Sequence, residues 1–336
     1  MKFFLWAVIG TAALTVWGCG GSSSGGQPVA FRVLDSSMES MATGVSAMAT
    51  VGNVYASPAH AVKWEGAGHT LVDLSPTGST QSSAVGVSGS KVVGYAYLSS
   101  QFHAGYWTGA AASFVDLAPS GTDRSLATGV SESGTVLGLA GTGGIDHAGY
   151  WTGDASTFID LNPAGAVSSA ASAGSGSNIV GYADFGDTHA ALWTGTAGSF
   201  VDLNPTGSSS SYCYGVSGST EVGTAQIGSV THAAMWTGTA ASFADLSPVG
   251  DANGLAAAVS GNYAVGYVSL TGPSHAVVWN LTTKNYLDLQ EFCPGYVASL
   301  ATGIVVTSKG IVVSGRVSTS TSDFASKWTV SNSMLP

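Results

Sequence analysis

The chain has 336 residues, of which 47 are glycine, and only 8% of its residues are charged. Its formal net charge of −10 argues against nucleic acid or anionic lipid as a partner. The length alone would allow two domains, but internal repeats fill the chain and leave no linker between them, so we expect one domain after the N-terminal segment.

The N-terminal segment predicts export. One lysine is followed by an apolar run over residues 3–16, and Gly18 then precedes Cys19. This run is too short and too early to span a membrane in the mature protein. A cysteine directly after a small residue resembles a bacterial lipobox, so residues 1–19 are the predicted lipoprotein signal and Cys19 the predicted lipidation site. Ordinary signal cleavage is the alternative.

Residues 20–27, GGSSSGGQ, have the composition of a flexible tether, and residues 28–336 form the predicted folded domain. A lipid on Cys19 would attach the protein to a membrane without a spanning helix. The predicted location is therefore the outer membrane or the cell surface, and the membrane is the first predicted partner.

The folded domain is built from a repeat. The motif HAxxW recurs at intervals of 42 to 44 residues, a degenerate copy, FASKW, begins at Phe324, and an Asp-Leu pair lies 13 residues after each repeated histidine. A fixed separation predicts one rigid hairpin with the two side chains opposite each other. Six copies favour a structural hydrogen bond over a catalytic pair, because an active site is seldom built six times. The pairs are His60 with Asp73, His103 with Asp116, His147 with Asp160, His189 with Asp202, His232 with Asp245, and His275 with Asp288.

Two further apolar runs lie between each Asp-Leu and the next histidine, for example ATGVS from Ala127 and TVLGLA from Thr135. Short runs rich in valine and aromatic residues, separated by Ser-Gly turns, predict strands. We label the four strands of each unit a (GVS), b (VVGYA), c (HAxxW) and d (FxDL). Four strands in such a period favour propeller blades over helical repeats, and the small residues of strand a suit the crowded axis.

The two ends of the repeat array complement each other. The domain starts with an unpaired d strand, residues 31–35, and ends with a c strand, residues 327–330. We therefore predict an all-β, seven-bladed β-propeller with four antiparallel strands per blade, closed by the N-terminal strand completing the last blade. Phe324 replaces the histidine and Val33 replaces the aspartate in this same composite blade, which supports the closure.

The units resemble the HAF-type extracellular repeats of bacteria, which have a His-Ala-Phe triplet before a tryptophan, then an Asp-Leu and a Gly-Val/Ile-Ser/Asn segment. Here the triplet reads HAV, HAG, HAA or HAM, so phenylalanine is never its third residue. The resemblance covers about residues 31–330 and implies an exported bacterial protein, with no established activity to transfer. The strand order also resembles that of WD-repeat propellers, which is an analogy of fold alone.

In such a ring the b–c and d–a loops share one face, which we call the variable face because these loops differ between blades. Its acids are Glu39, Asp123, Asp146, Asp184, Asp187, Asp251, Glu291 and Asp323, against Arg124. The candidate binding residues are Asp123, Asp146, Asp184, Asp187, Asp251, Glu291, Phe185 and Tyr212. Carboxylates beside aromatic side chains suit glycans, cationic peptides or Ca²⁺; the alternative is solvated charge that keeps the protein soluble.

No cofactor is predicted. Asp184 and Asp187 come nearest to a Ca²⁺ site, but this ion takes about six to eight oxygen ligands. Cys213 and Cys293 form either a disulfide or two partly buried thiols, and their spacing does not indicate zinc.

The predicted function is a binding, adhesion or protein-interaction platform for a glycan or protein ligand. One alternative is a structural component of the envelope or matrix. The other is a carbohydrate-active enzyme that uses a carboxylate pair on the acidic loops. An enzyme is not expected, because the predicted folded domain, residues 28–336, has no GxSxG elbow and no phosphate loop. The ligand and the oligomeric state stay open.

Overall fold

The computed structural model describes residues 28–66, 68–248, 253–269 and 272–336. The predicted signal, Cys19, the tether and Asp251 lie outside these ranges. In the described chain, 28 strands form seven four-stranded antiparallel sheets arranged as blades in a ring, which confirms the predicted seven-bladed propeller. No helix among these residues is long and apolar enough to cross a membrane.

Each of the first six blades is formed by four consecutive strands. Blades 1 to 3 contain β2 (Ser40–Val45), β3 (Ala49–Val54), β4 (His60–Glu65) and β5 (Thr70–Asp73); β6 (Gln81–Ser88), β7 (Lys91–Leu98), β8 (Gln101–Trp107) and β9 (Val115–Asp116); and β10 (Arg124–Val130), β11 (Val136–Thr142), β12 (Ile145–Trp151) and β13 (Phe158–Asp160). Blades 4 to 6 contain β14 (Ser168–Ser175), β15 (Asn178–Asp184), β16 (Thr188–Trp193) and β17 (Val201–Asp202); β18 (Ser208–Ser217), β19 (Thr220–Ile227), β20 (Val230–Trp236) and β21 (Ala244–Asp245); and β22 (Asn253–Ser260), β23 (Tyr263–Ser269), β24 (His275–Asn280) and β25 (Tyr286–Asp288).

Blade 7 is composite. It contains β26 (Ala298–Thr307), β27 (Gly310–Ser318) and β28 (Asp323–Ser331), and its outer strand is β1 (Val29–Val33), which pairs antiparallel with β28. The ring of Phe31 lies 5.6 Å from that of Trp328. Val33 and Phe324 pack on the same apolar cluster. Blade 7 therefore has two apolar side chains at the positions where the other blades have the aspartate and the histidine. The predicted closure is therefore confirmed.

Strand a lies innermost and is bulged. In all seven blades the a–b register shifts near the middle of strand a, as between Ala127 and Gly129. A Cβ atom on Gly129 would come 2.1 Å from the carbonyl oxygen of Ser172 in the next blade. Adjacent inner strands therefore approach at backbone distance, which is why small residues occupy this strand.

The core consists of layers between neighbouring blades. Trp151 of blade 3, for instance, packs with Val93 and Leu117 of blade 2. One strand-c tryptophan per blade fills each layer, and all of them are 0 or 1% exposed, so they contribute to packing and not to a ligand surface. These side chains are Trp64, Trp107, Trp151, Trp193, Trp236, Trp279 and Trp328.

Candidate binding site on the variable face

The repeated histidine and aspartate are hydrogen-bonded in all six complete repeats. Nδ1 of each histidine lies 2.7 or 2.8 Å from Oδ2 of its aspartate. The second carboxylate oxygen accepts a hydrogen bond from the backbone N–H two residues further along the chain. In blade 2, for example, the Ala118 N–H donates to Asp116 at 2.8 Å. Each aspartate therefore fixes the end of strand d to strand c and starts the loop to the next blade.

The electrostatics of this pair fit a structural contact. Partial burial acts to raise the pKa of Asp73, but the Ser75 N–H and the hydrogen bond with His60 outweigh it and bring the pKa below its ordinary value. In blade 2, Nε2 of His103 is buried and has no hydrogen-bond partner in the described part of the chain. A substrate could not reach that nitrogen.

A serine that the sequence reasoning missed completes each blade junction. In five blades the N–H of the alanine in the HA motif, and in blade 7 that of Ala325, donates to a serine Oγ in strand a of the next blade at 2.9 or 3.0 Å. A spacing of 21 residues from alanine to serine recurs four times and could have revealed it. In blade 6 the position is Gly254, and Ser247 accepts the bond instead. The serines are Ser40, Ser82, Ser125, Ser169, Ser211 and Ser299.

Two of the candidate acids meet in blade 3. Arg124 Nη2 lies 2.5 Å from Oδ2 of Asp146, and Asp123 accepts the N–H of Gly143 at 2.7 Å. Burial raises the pKa of Asp146 above its ordinary value, and the charge of Asp123 adds to this, while Arg124 opposes it. The carboxylate of Asp146 therefore pairs with the guanidinium of Arg124 and lies near the carboxylate of Asp123.

Tyrosines from the next blades adjoin this ion pair. The rings of Tyr182 and Tyr212 lie 5.3 Å apart at 66°, and Tyr212 is stacked on Tyr214 with the rings 3° from parallel. Burial raises the pKa of Tyr182; Asp146 and Tyr212 add to the rise and Arg124 counteracts it. We call Tyr182, Tyr212 and Tyr214 the tyrosine cluster. It lies with Asp146 and Arg124 across the seams of blades 3, 4 and 5.

The tyrosine cluster corrects one detail of the sequence reasoning. Tyr212 lies inside β18 and not in a loop. Tyr182 was missed, although a pattern pointed to it: the residue after the strand-b glycine is tyrosine in three blades, at Tyr95, Tyr182 and Tyr267. Burial raises the pKa of Tyr214 and the hydrogen bond with Thr224 acts against it, while Tyr212 and then Tyr267 add to the rise.

The structure does not bring the other candidates to this cluster. Phe185 packs outward, with its ring 5.7 Å from that of His189 and 5.6 Å from that of Phe200. Asp184 ends β15 and accepts the N–H of Gly186, whereas Asp187 is exposed in the loop. Glu291 is exposed in a short 3-10 helix, Gln290–Phe292, of blade 6. Only Asp184 of these four is close enough to affect the pKa of Tyr182.

Neither a disulfide nor a cluster of metal ligands is present among the residues that the structure describes. Cys213 and Cys293 are free and buried, as in the second of the two alternatives. Burial raises the pKa of Cys293 to about 12, against the hydrogen bond that Trp328 Nε1 donates to its sulfur at 3.2 Å. No group of three or more His, Cys, Asp or Glu side chains in those residues could hold a metal ion.

No protein-family model and no curated protein sequence matches this chain. Among solved structures it is similar to TolB from Acinetobacter baumannii, at 12% identity and a TM-score of 0.51, over 72% of this chain and 63% of that one. It is also similar to a puromycin hydrolase mutant, at 12% identity and a TM-score of 0.56, over 85% and 51% of the two chains. A prolyl endopeptidase matches at 12% identity and a TM-score of 0.55, over 89% and 51%.

These similarities concern the fold. The chain spans about half to two thirds of the length of these proteins, and at such identity their activities do not transfer to it. The class defined by the fold is the seven-bladed β-propeller, a rigid ring that in general supports an interaction platform.

Proposed function

We propose that the protein is an exported, lipid-anchored binding module of the HAF-repeat type, which binds its ligand on the variable face. The observation that carries the proposal is the tyrosine cluster beside the Arg124–Asp146 pair, built from three consecutive blades. Half-buried tyrosines and a paired arginine are the side chains that dominate the energy of protein interfaces. The rigid blades hold these groups in place before a ligand arrives, which lowers the entropy cost of binding.

Charge indicates the kind of ligand. In the described part of the variable face, the acids outnumber Arg124 and Arg316, and both arginines are paired with aspartates, Asp146 and Asp323. Such a face attracts cations, and the faces of tyrosine rings bind ammonium and guanidinium groups by about 0.5–2 kcal/mol. A cationic peptide segment therefore suits the site best, and a glycan or Ca²⁺ is the competing ligand class.

The test is thermal unfolding with a ligand panel of a lysine-rich peptide, Ca²⁺ and neutral glycans. A ligand that binds only the folded protein raises the Tm by mass action. We expect the peptide to raise it and Tyr212→Ala to weaken peptide binding at least tenfold. Tyr286→Ala is the control, because Tyr286 is a tyrosine that is 36% exposed but begins β25 at the opposite face.

Two results would contradict the binding site. One is a Tm that no member of the panel changes. The other is a peptide affinity that is equal in Tyr212→Ala and in the Tyr286→Ala control. The absence of catalytic activity and of a resident cofactor stays a prediction.

Location is tested separately. If Cys19 is lipidated, Cys19→Ala should move the protein from the membrane fraction to the soluble fraction and abolish labelling by a fatty acid precursor. Retention of the variant in the membrane fraction would contradict the lipid anchor and leave the ligand site unaffected.

A further inference from the structure

The axis of the ring opens into a cavity on the face opposite the variable face. We call this side the constant face; it is formed by the a–b and c–d turns. The cavity has a volume of about 390 Å³. Six inner strands line it with branched aliphatic side chains, and blade 4 contributes Gly174 instead. The aliphatic residues are Val45, Val87, Val130, Val216, Val259 and Ile304.

Tyr214 also lines the cavity. The same position of strand a in the other blades carries a smaller residue: Thr43, Val85, Thr128, Ser172, Ala257 and Thr302. Because Tyr214 is also stacked on Tyr212, its ring lies between the aliphatic cavity and the other two members of the tyrosine cluster, Tyr182 and Tyr212. The cavity is therefore open toward the constant face and limited by one aromatic side chain toward the other.

The mouth of the cavity is polar but carries little charge. Ser46, Ser88 and Ser260 lie near its rim, and Glu132 is the one charged residue of the lining. Lys91, at the start of β7 on this face, donates to the carbonyl of Gly134 at 2.9 Å and lies 4.7 Å from the centre of the Tyr106 ring. Its ammonium group donates to a carbonyl and not to a ligand, and the charge of Glu132 disfavours anions at the mouth.

We propose that this cavity binds a neutral amphiphile with an unbranched alkyl chain, which enters along the axis and leaves its polar end at the serine rim. A ring of aliphatic side chains around an axis fits a rod-shaped apolar group. Small-molecule sites typically have about 300–1,000 Å³, and an engineered apolar cavity of about 150 Å³ already binds benzene. The cavity shares only Tyr214 with the tyrosine cluster, and its ligand differs from a cationic peptide in charge.

The test uses the mature protein and a series of n-alkanols from butanol to decanol, with calorimetry and Tm as readouts. Each buried methylene should lower the Kd about fourfold, and the affinity should level off once the chain reaches Tyr214. Octanoate should bind at least tenfold more weakly than octanol, and Glu132→Gln should narrow this difference.

Variants locate the binding. Val87→Phe fills the cavity and should weaken octanol binding at least tenfold. Val167→Phe, on the variable face and 60% exposed, should leave it unchanged. Val130→Thr retains the shape of the cavity wall but adds a hydroxyl, so it should weaken octanol binding about fivefold. This variant replaces Val87→Phe in the test if Val87→Phe does not fold. In Tyr214→Ala the affinity should continue to rise with chain length and should level off only at a longer alkanol than in the wild type.

Two outcomes would overturn the proposal. The first is that no alkanol binds the folded protein. The second is that affinity rises with chain length equally in the wild type, Val87→Phe and Val130→Thr, which would place the alkanols elsewhere.

Discussion

At the scale of single residues, the aspartates of the repeat have two roles. Asp116 accepts from His103 through one oxygen and from the Ala118 N–H through the other. Either partner alone would lose this hydrogen bond, and because the Asp116 side chain is 46% exposed the loss costs about 0.5–1.5 kcal/mol. Blade 7 avoids this cost because Phe324 and Val33 replace both partners together.

Blade 7 provides a double-mutant cycle for blade 2. We expect His103→Phe and Asp116→Val each to lower the free energy of unfolding by about 0.5–1.5 kcal/mol. The double variant should lose less than the sum by about 1 kcal/mol, because neither partner is then left unpaired. Urea unfolding of the three variants measures the coupling, and additive losses would argue against a direct interaction.

A buried glutamate has no counterpart in the other blades. Glu221 is completely buried, and its Oε2 accepts the Gly238 N–H at 2.8 Å, while Oε1 has no partner within the described ranges. Burial raises its pKa above the ordinary 4.5, against the Gly238 hydrogen bond. The equivalent residues elsewhere are smaller or apolar: Thr50, Val92, Val136, Ile179, Ala264 and Val313.

The raised pKa sets the sign of a pH effect. The folded state holds the proton of Glu221 more tightly than the unfolded state, so this group's contribution to stability falls as the pH rises above 4.5 through the raised pKa. Glu221→Gln retains an acceptor for Gly238 and does not titrate. Urea unfolding from pH 4.5 to about pH 8 should show a decline in the wild type that is smaller in the variant. Parallel curves would contradict the assignment.

Residue-level prediction from the sequence succeeded where the spacing was constant. The histidine and the aspartate lie in one hairpin, so their separation of 13 residues fixes their contact. Ser125 lies in the next blade from the Ala104 N–H that it accepts, and its partnership depends on how blades pack. A regular spacing exists there as well, but it has a meaning only after the ring is known.

At the scale of the strands, the bulge in strand a explains the glycine in strand b. In all seven blades a Cβ atom on this glycine would come within 1.8–2.1 Å of a carbonyl oxygen of strand a. Gly94, for instance, would meet the oxygen of Ser83 at 1.9 Å. Real side chains do not approach so closely, so the bulge and the glycine require each other.

This requirement predicts a large effect for one methyl group. Gly94→Ala should lower the free energy of unfolding by about 3 kcal/mol, because the bulged carbonyl must move. Gly109→Ala in the same blade is the control, since nothing lies within 4 Å of its Cβ position, and we expect a change below about 0.5 kcal/mol. Equal unfolding midpoints for the two variants would show that the bulge adapts freely.

The sequence predicted the strands and their order but not the bulges. Valine alternation and Ser-Gly turns determine where a strand lies, whereas a bulge depends on the close approach of two backbones. For the same reason the sequence did not predict the role of Tyr182. This residue lies in a regular strand, and its role depends on its contact with Tyr212 in the next blade.

At the scale of the molecule, stability depends on the closure of the ring. β1 covers the edge of β28 and adds Phe31 to the cluster around Trp328. Deleting residues 28–35 should lower the Tm by more than any single substitution above and should promote self-association through the exposed strand edge. Calorimetry and sedimentation velocity check both effects. A monomer with unchanged Tm would mean that the ring is stable while open.

Seven blades and their closure could be predicted because counting repeats and comparing the two ends needs no side-chain geometry. The tyrosine cluster could not, since Tyr182 and Tyr212 lie 30 positions apart and meet only when two blades pack. The sequence thus predicts which loops share a face of the ring, but it does not predict how side chains are arranged between two neighbouring blades.

The pairing of β1 with β28 also has a kinetic consequence. The two strands are about 300 residues apart along the chain, so β1 meets its partner only after the other six blades have been synthesised. Contacts of such high contact order form late and slowly. Until then the chain has two unpaired edges. If the protein is exported unfolded, as we propose, a fold that cannot be completed early keeps the chain competent for passage through the membrane.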